Sequence, residues 1–256
     1  MIAMKDQFQL ANKNIFITGA SSGIGQACAI RISEMGANII LLARDGKKLQ
    51  DTISQMKGSN HLCFSADLTK YERVEEIIDE SVSKLGKIDG FINAAGIEQS
   101  IPLRNMSASD LRDLYEINVI AAFELARIVS KKKNVNPDAA SFIFIASIMG
   151  VLGESGKTGY CSSKGGLISG ARAIALELAG RNIRVNCLSP AIVETKMTLE
   201  MFSKLNDEQI SRIRSMHPLG FGKPEDIANL CLFLLSPLSR WMTGSNIIID
   251  GGYSIT

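Results

Sequence analysis

The sequence predicts an α/β fold: a single doubly wound domain over residues 1–256, with helices on both faces of a seven-stranded parallel sheet. Three observations predict it. Short apolar or β-branched runs alternate with longer stretches of helical periodicity along the whole chain. Several short runs, such as Phe142-Ile143-Phe144-Ile145-Ala146, lack polar alternation, as strands buried on both faces require. No composition shift, repeat, Pro/Ser-rich linker or low-complexity tract divides the chain.

In order, strands are expected at Asn14–Thr18, Asn38–Ala43, His61–Ser65, Gly90–Asn93, Ser141–Ser147, Ile183–Leu188 and Asn246–Ile249. Helical periodicity fills the intervals at Gly23–Met35, Gly46–Met56, Tyr71–Leu85, Ala108–Lys132, Gly159–Ala179 and Pro224–Ser236. Gly36, Gly58, Gly86 and Gly180 stand where helices need a C-terminal cap. The segment Glu194–Lys223 breaks the rhythm with two weakly amphipathic pieces, Met197–Phe202 and Asp207–Met216, ahead of Pro218 and Gly220. An insertion after a late strand lies at the carboxyl edge of the sheet, where this architecture binds ligands, so the segment reads as a substrate lid. Met197, Met201, Phe202 and Met216 are its candidate pocket residues, with ordinary packing as the other explanation.

Lys+Arg total 28 against 26 Asp+Glu, so no strong field attracts nucleic acid or an anionic membrane. Lys131-Lys132-Lys133 reads as the solvated end of a helix, complementing its dipole. Cys28, Cys63, Cys161, Cys187 and Cys231 are scattered and odd in number, which argues against a disulfide framework. His61 and His217 lack companions at metal-ligand spacing and read as ordinary side chains, so no metal is expected. The first ten residues contain Lys5 and Asp6 with no apolar core of a signal peptide, and no apolar run reaches membrane-spanning length. A reducing cytoplasm is the expected compartment.

The first strand runs through Thr18-Gly19-Ala20-Ser21-Ser22-Gly23-Ile24-Gly25 into a helix. Glycines there let the backbone approach a pyrophosphate, and a helix N-terminus supplies N–H donors and partial positive charge. Gly19, Ser21, Ser22, Gly23, Ile24 and Gly25 therefore form a candidate phosphate cradle. The second strand ends at Arg44, which suits a 2′-phosphate, and the neutral Ser22 does not oppose it. NADP(H) is expected over NAD(H), although Asp45 turned inward would serve as a ribose acceptor and favour NAD(H).

Tyr160 and Lys164 are four apart in a helical pattern and so share a face. A phenol titrates near 10, and a neighbouring ammonium favours its ionised form, bringing it toward general acid and base catalysis. Ser147, at the end of the preceding strand, is placed to hydrogen-bond a substrate oxygen. Asn118, lone amid Ile117, Val119 and Ile120, reads by itself as a polar residue satisfying buried backbone.

Taken together, these motifs resemble the short-chain dehydrogenase/reductase family, with its Rossmann fold, over essentially the full chain. The matching features are the turn Thr18–Gly25; Asp67, with Leu68 beside it; Asn93-Ala94-Ala95-Gly96; Asn118; Ser147; Tyr160-x-x-x-Lys164; and Pro190 followed by Val193 and Thr195. The resemblance implies that Asn118 completes a tetrad with Ser147, Tyr160 and Lys164 and helps anchor a proton-relay water. It further implies that Asp67 lies near the adenine and that Pro190–Thr195 lies against the carboxamide. Tyr160 and Lys164 count among the cofactor contacts too. The sequence departs from the family pattern at Ala191, where glycine is usual, and at Ala94, where many relatives have asparagine.

The general likeness is to the branch of 3-oxoacyl-(acyl-carrier-protein) reductases, which implies a β-ketoacyl thioester substrate and an acidic carrier-protein partner. Lys133 and Arg181 lie where that branch presents basic residues, though solvated surface charge explains them equally. A sugar, a steroid or another small ketone or secondary alcohol stays open as substrate. So does a catalytically silent dinucleotide sensor on the same fold. The resemblance implies a homotetramer, or a dimer, joined through the two long helices and the C-terminal strand.

Overall fold

The computed structural model describes residues 8–203 and 205–256. Its strands are β1 (Asn14–Thr18), β2 (Asn38–Ala43), β3 (Leu62–Ser65), β4 (Gly90–Asn93), β5 (Ala140–Ile145), β6 (Ile183–Pro190) and β7 (Asn246–Ile249). They form one sheet in the order β3-β2-β1-β4-β5-β6-β7, parallel throughout. The chain winds one way from β1 and the other way from β4. That reversal leaves a crevice beyond the carboxyl ends of those two strands.

The helices are α1 (Gly23–Ser33), α2 (Gly46–Ser54), α3 (Tyr71–Leu85), α4 (Ala108–Tyr115), α5 (Ala121–Val129), α6 (Thr158–Ala179), α7 (Lys196–Phe202), α8 (Asp207–Ser215) and α9 (Pro224–Leu235). Successive strand residues point to opposite faces, and in the five inner strands both faces are buried, whereas the edge strands β3 and β7 are only partly covered. Ile15 and Ile17 of β1 join Cys28 and Ile32 of α1 and Ile227 and Leu232 of α9. Phe16 between them joins Ile77 of α3, Leu125 of α5 and Leu167 of α6. The missing polar alternation in the strands has this cause.

The expected helix Ala108–Lys132 is not continuous. A π turn at Glu116–Ile120 separates α4 from α5, and the chain leaves the helix after Val129. The π turn inserts one residue, a rotation of about 100°. Asn118 is thereby buried while Ala121, Ala122, Leu125 and Ala126 keep their packing. Apolar spacing does not reveal such an insertion.

The lysine run is also corrected: it lies beyond the helix, where Lys131 pairs with Glu75 and Lys133 with Asp79 at 2.8 Å, tying this corner to α3. Gly36, Gly58 and Gly86 take the left-handed backbone expected of caps, at φ 84°, 95° and 90°. Gly180 does not, with φ −64°; the left-handed turn after α6 falls on Asn182, φ 55°. Ser147 lies past the end of β5, in extended backbone capping a 3₁₀ turn at Ile148–Gly150.

Phe91 sits at the middle of the sheet, stacked on Phe16 at 5.5 Å and edge-on to Phe142 and Phe144 at 5.6 and 6.0 Å. All four rings are fully buried. Phe91→Ala is expected to lower the unfolding free energy by about 3–5 kcal/mol, read as a reduced urea midpoint at unchanged slope.

Candidate active site

The site begins with the turn from β1 to α1. A β-carbon on Gly25 would sit 2.4 Å from the Gly19 carbonyl oxygen, and one on Gly19 would sit 2.8 Å from the Ala95 amide nitrogen. Glycine is thus required at both places by backbone contact. Ser22 precedes α1 without a side-chain cap, and no acidic residue occupies the first turn. The opening N–H groups of α1 are left for an anion.

These residues form one wall of a cavity of about 650 Å³. Gly19, Ser21, Ser22, Gly23, Ile24 and Gly25 line it from the turn, Arg44 from the end of β2, and Asp67 and Leu68 from beyond β3. Ala94, Ala95 and Gly96 follow β4, and Thr195 reaches in ahead of α7. A glycine wall, free helix amides and an exposed guanidinium suit a dinucleotide phosphate. Asp67 accepts hydrogen bonds from the Thr69 amide and hydroxyl, both at 3.0 Å, and the amide bond chiefly holds its carboxyl below the usual range.

Asp45 has its own commitment. Its carboxylate caps α2, accepting the Lys48 amide at 3.1 Å and meeting the Lys48 ammonium at 3.3 Å. The amide hydrogen bond is the main reason its pKa is lowered. Lys48 lines the cavity beside Arg44, which spacing alone did not reveal.

A second cavity, of about 220 Å³, shares Ile24, Ala94, Gly96, Thr195 and Met197 with the first. Ser147, Tyr160, Lys164, Pro190 and Val193 all line it. Ser147 Oγ accepts the Met149 amide at 3.2 Å, which orients the hydroxyl group. Lys164 is buried; its Nζ donates to the Ile145 carbonyl at 3.0 Å and lies 5.9 Å from the Tyr160 ring centroid.

The electrostatics reverse the expected direction at Tyr160. Desolvation pushes its phenol up to about 12, against a smaller downward pull from the Ser147 hydroxyl. Desolvation also brings Lys164 down to about 8. Withdrawal from water is the largest cause at both groups, and the ammonium donates its hydrogen bond to the Ile145 carbonyl. At neutral pH the pair is a protonated phenol beside a largely protonated ammonium.

Two predicted site residues stand behind the cavity walls. Asn118, fully buried in the π turn, accepts the Ile97 amide and donates to the Ile97 carbonyl, both at 2.9 Å, and donates to Ser163 Oγ at 3.1 Å. A β-carbon on Gly96 would lie 3.1 Å from Asn118 Oδ1 and 3.3 Å from Lys164 Nζ, so the two side chains close on the same glycine. Asn93 accepts the Thr18 hydroxyl at 2.9 Å and bridges β1 to β4.

Other wall residues escaped the sequence reading. Lys157 meets Glu154 at 3.1 Å and Glu98 at 3.8 Å, and Tyr253 and His217 come from near the C-terminus and the end of α8. Glu154 and Lys157 are three apart, but Glu98, His217 and Tyr253 come from distant parts of the chain and reach this wall only through the fold. His61 is an ordinary structural side chain, its Nδ1 accepting the Ile39 amide at 3.1 Å. Met197, Met201 and Met216 face the second cavity as expected, whereas Phe202 packs on Phe221 at 5.2 Å instead.

The family model described as enoyl-(acyl carrier protein) reductase matches residues 19–254. The 3-oxoacyl-(acyl-carrier-protein) reductase FabG of Thermotoga maritima is 35% identical over 254 residues, covering 96% of this chain and 100% of that protein. The NAD-dependent glycerol dehydrogenase of Listeria innocua is 32% identical over 250 residues, covering 97% and 96%. The crystal structure of a dehydrogenase/reductase from Sinorhizobium meliloti 1021 superposes with a TM-score of 0.90 at 31% identity, covering 99% of each chain.

The contact between Gly25 and Gly19 generates a direct test. Gly25→Ala is expected to weaken dinucleotide binding at least about tenfold in a fluorescence titration, because the added carbon must displace the phosphate-facing turn.

Proposed function

The chain belongs to the short-chain dehydrogenase/reductase family as a FabG-like, NAD(P)-dependent oxidoreductase, and we propose that it interconverts a ketone and a secondary alcohol with Tyr160 as general acid and base. The observation that carries this reading is the convergence of Ser147, Tyr160 and Lys164 on a cavity that shares its wall with the glycine cradle.

Gly19 to Gly25 and the first amides of α1 would hold the dinucleotide phosphates, with Asp67, Leu68 and Ala94–Gly96 along the nucleotide and Pro190, Val193 and Thr195 toward the nicotinamide. When bound, that cofactor supplies or accepts the hydride. Ser147 holds the substrate oxygen, and Tyr160, protonated at neutral pH, passes its proton to it. An alkoxide is a stronger base than a phenolate, so the transfer runs downhill. The Lys164 ammonium then stabilises the phenolate left behind. Asn118 acts through others: its amide fixes Ile97 and closes on Gly96, holding the floor against which Lys164 is set. In alcohol oxidation the proton takes the reverse path.

NADP(H) is our preferred cofactor. Arg44, Asp45 and Lys48 all border the nucleotide cavity, and the carboxylate of Asp45, the candidate acceptor for an NAD ribose, is engaged by the Lys48 amide and ammonium. One substrate reading is a 3-oxoacyl thioester, following the names of the FabG relatives. A polar polyol or sugar is the second reading, favoured by the glycerol dehydrogenase relative and by the charged residues Glu98 and Lys157 in the cavity wall. Lys133 and Arg181 give the carrier-protein reading little support, since Lys133 pairs with Asp79 and Arg181 donates to the Ser130 carbonyl at 2.5 Å.

Residues 194–223 act as the substrate lid, a role supported by the three methionines they place in the cavity wall. A homotetramer is supported by exposed apolar side chains at Ile120, Leu176 and Ile248, on the helices and strand expected to join subunits. Location in the cytoplasm agrees with five free cysteines and with no described helix being long and apolar enough to cross a membrane.

Tyr160→Phe is expected to cut kcat for ketone reduction by about 10²–10⁴-fold while leaving dinucleotide fluorescence binding intact; unaltered turnover would falsify the role of the phenol. Binding of dinucleotide with no wild-type turnover on any ketone would favour the silent sensor. With Tyr160 protonated up to about 12 and Lys164 losing its charge near 8, the reductive kcat should be flat between about pH 6 and 7 and decline above about 8. Arg44→Ala should lower kcat/KM for NADPH by about tenfold or more and leave NADH nearly unaffected; a wild-type preference for NADH would end the NADP(H) assignment.

A further inference from the structure

The wall of the catalytic cavity carries a histidine with an unmade hydrogen bond. His217 follows α8, is 4% exposed, and lines the same cavity as Ser147 and Tyr160. Its ring is held from two sides: Tyr253 lies against it with centroids 4.7 Å apart, and Phe221 meets it edge-on at 5.1 Å. Nδ1 is 2.8 Å from the Ile213 carbonyl oxygen. A carbonyl only accepts, so Nδ1 carries the hydrogen, and Nε2 of the neutral ring is left as an acceptor. That Nε2 is buried and has no partner among the described residues.

A buried polar atom that has given up water without gaining a protein partner asks for an explanation, and at a ligand cavity a group on the ligand provides one. The company His217 keeps points to the same chemistry. The cavity also contains the Tyr253 phenol and the Lys157 ammonium, with Glu154 3.1 Å and Glu98 3.8 Å from the latter. Most of the wall is apolar, from side chains such as Ile148, Met149 and Met216, and the few polar groups among them are the ones that can orient a ligand.

We propose that His217 Nε2 accepts a hydrogen bond from a second hydroxyl group of the substrate, so that hydroxyketones and the corresponding diols are the class this cavity selects. The inference rests on the ketone–alcohol reading of the site and deepens it, deciding for the polyol or sugar over the 3-oxoacyl thioester. A lone acceptor held in one tautomer by Ile213 and in one plane by Tyr253 discriminates by leaving itself unpaired when the hydroxyl is missing.

The test uses the full-length chain with bound dinucleotide and a series of methyl ketones bearing a hydroxyl at increasing distance from the carbonyl, each paired with its deoxy analogue. In the wild type, at least one hydroxyketone should exceed its deoxy partner in kcat/KM by about a hundredfold. H217F should bring that ratio to within about threefold of unity, and H217Q, which keeps an acceptor, should restore part of it. A wild-type ratio near unity across the series overturns the proposal, and so does a ratio that H217F leaves intact. A second measurement needs no variant: the nitrogen NMR shift of Nε2 in the wild-type chain, titrated with the same ketones. An unprotonated Nε2 that responds to a hydroxyketone and ignores its deoxy partner is expected; a protonated Nε2, or an equal response to both, overturns the proposal. If no ketone is reduced but the NMR response stays selective, the ketone–alcohol reading fails while the hydroxyl site stands.

Discussion

The backbone of Gly25 passes so close to the Gly19 carbonyl that a single added carbon would lie 2.4 Å from it, and the geometry of the carboxyl edge follows from that approach. It lets α1 begin at Gly23, a few residues after β1, with its first amides uncapped. Beside it, Thr18 and Asn93 tie β1 to β4 by a 2.9 Å hydrogen bond at the point where the chain reverses its winding. The crevice opened there is lined by glycine backbone, which can meet a phosphate at van der Waals distance. Cofactor binding in this fold is thus a consequence of how closely two peptide units can pack.

The proposed chemistry depends on a second constraint, the burial of Lys164 and the partial burial of Tyr160. Burial disfavours the charged form of each, moving phenol and ammonium in opposite directions, to about 12 and about 8. In the reaction we propose, the phenol would be a donor that keeps its proton until a basic oxygen arrives, next to a cation that is easily neutralised. The π turn contributes by burying Asn118 behind Gly96, where its amide holds Ile97 and backs the site without touching the cavity. Read from the residues alone, Asn118 satisfies buried backbone; by resemblance it completes a tetrad. The structure gives direct support to the first of these readings and a position compatible with the second.

The fold was legible because its signals are local and repeated. Strands such as Phe142–Ile145 are apolar on both faces, and that leaves a parallel sheet between helix layers as the economical packing. The glycine turn and the Tyr160–Lys164 spacing were legible for the same reason: each is a short-range pattern with a steric or helical cause. What failed to show was of another kind. A π turn leaves apolar spacing almost intact, the left-handed turn after α6 could fall on Gly180 or on Asn182, and the partners of Lys131 and Lys133 lie on a helix more than fifty residues earlier.

The sequence by itself determined the order of elements, the positions of the phosphate turn and of the phenol–ammonium pair, and the absence of a strong surface field, since all of these depend on residue type and spacing. Tertiary structure alone decided that Lys164 would turn toward the Ile145 carbonyl, and that His217, Tyr253, Lys157 and Glu98 would share one cavity with Tyr160. The physical reason is that desolvation and hydrogen-bond partnership are properties of a place in space. Residues from four distant parts of the chain acquire that place only when the sheet closes its edges around them.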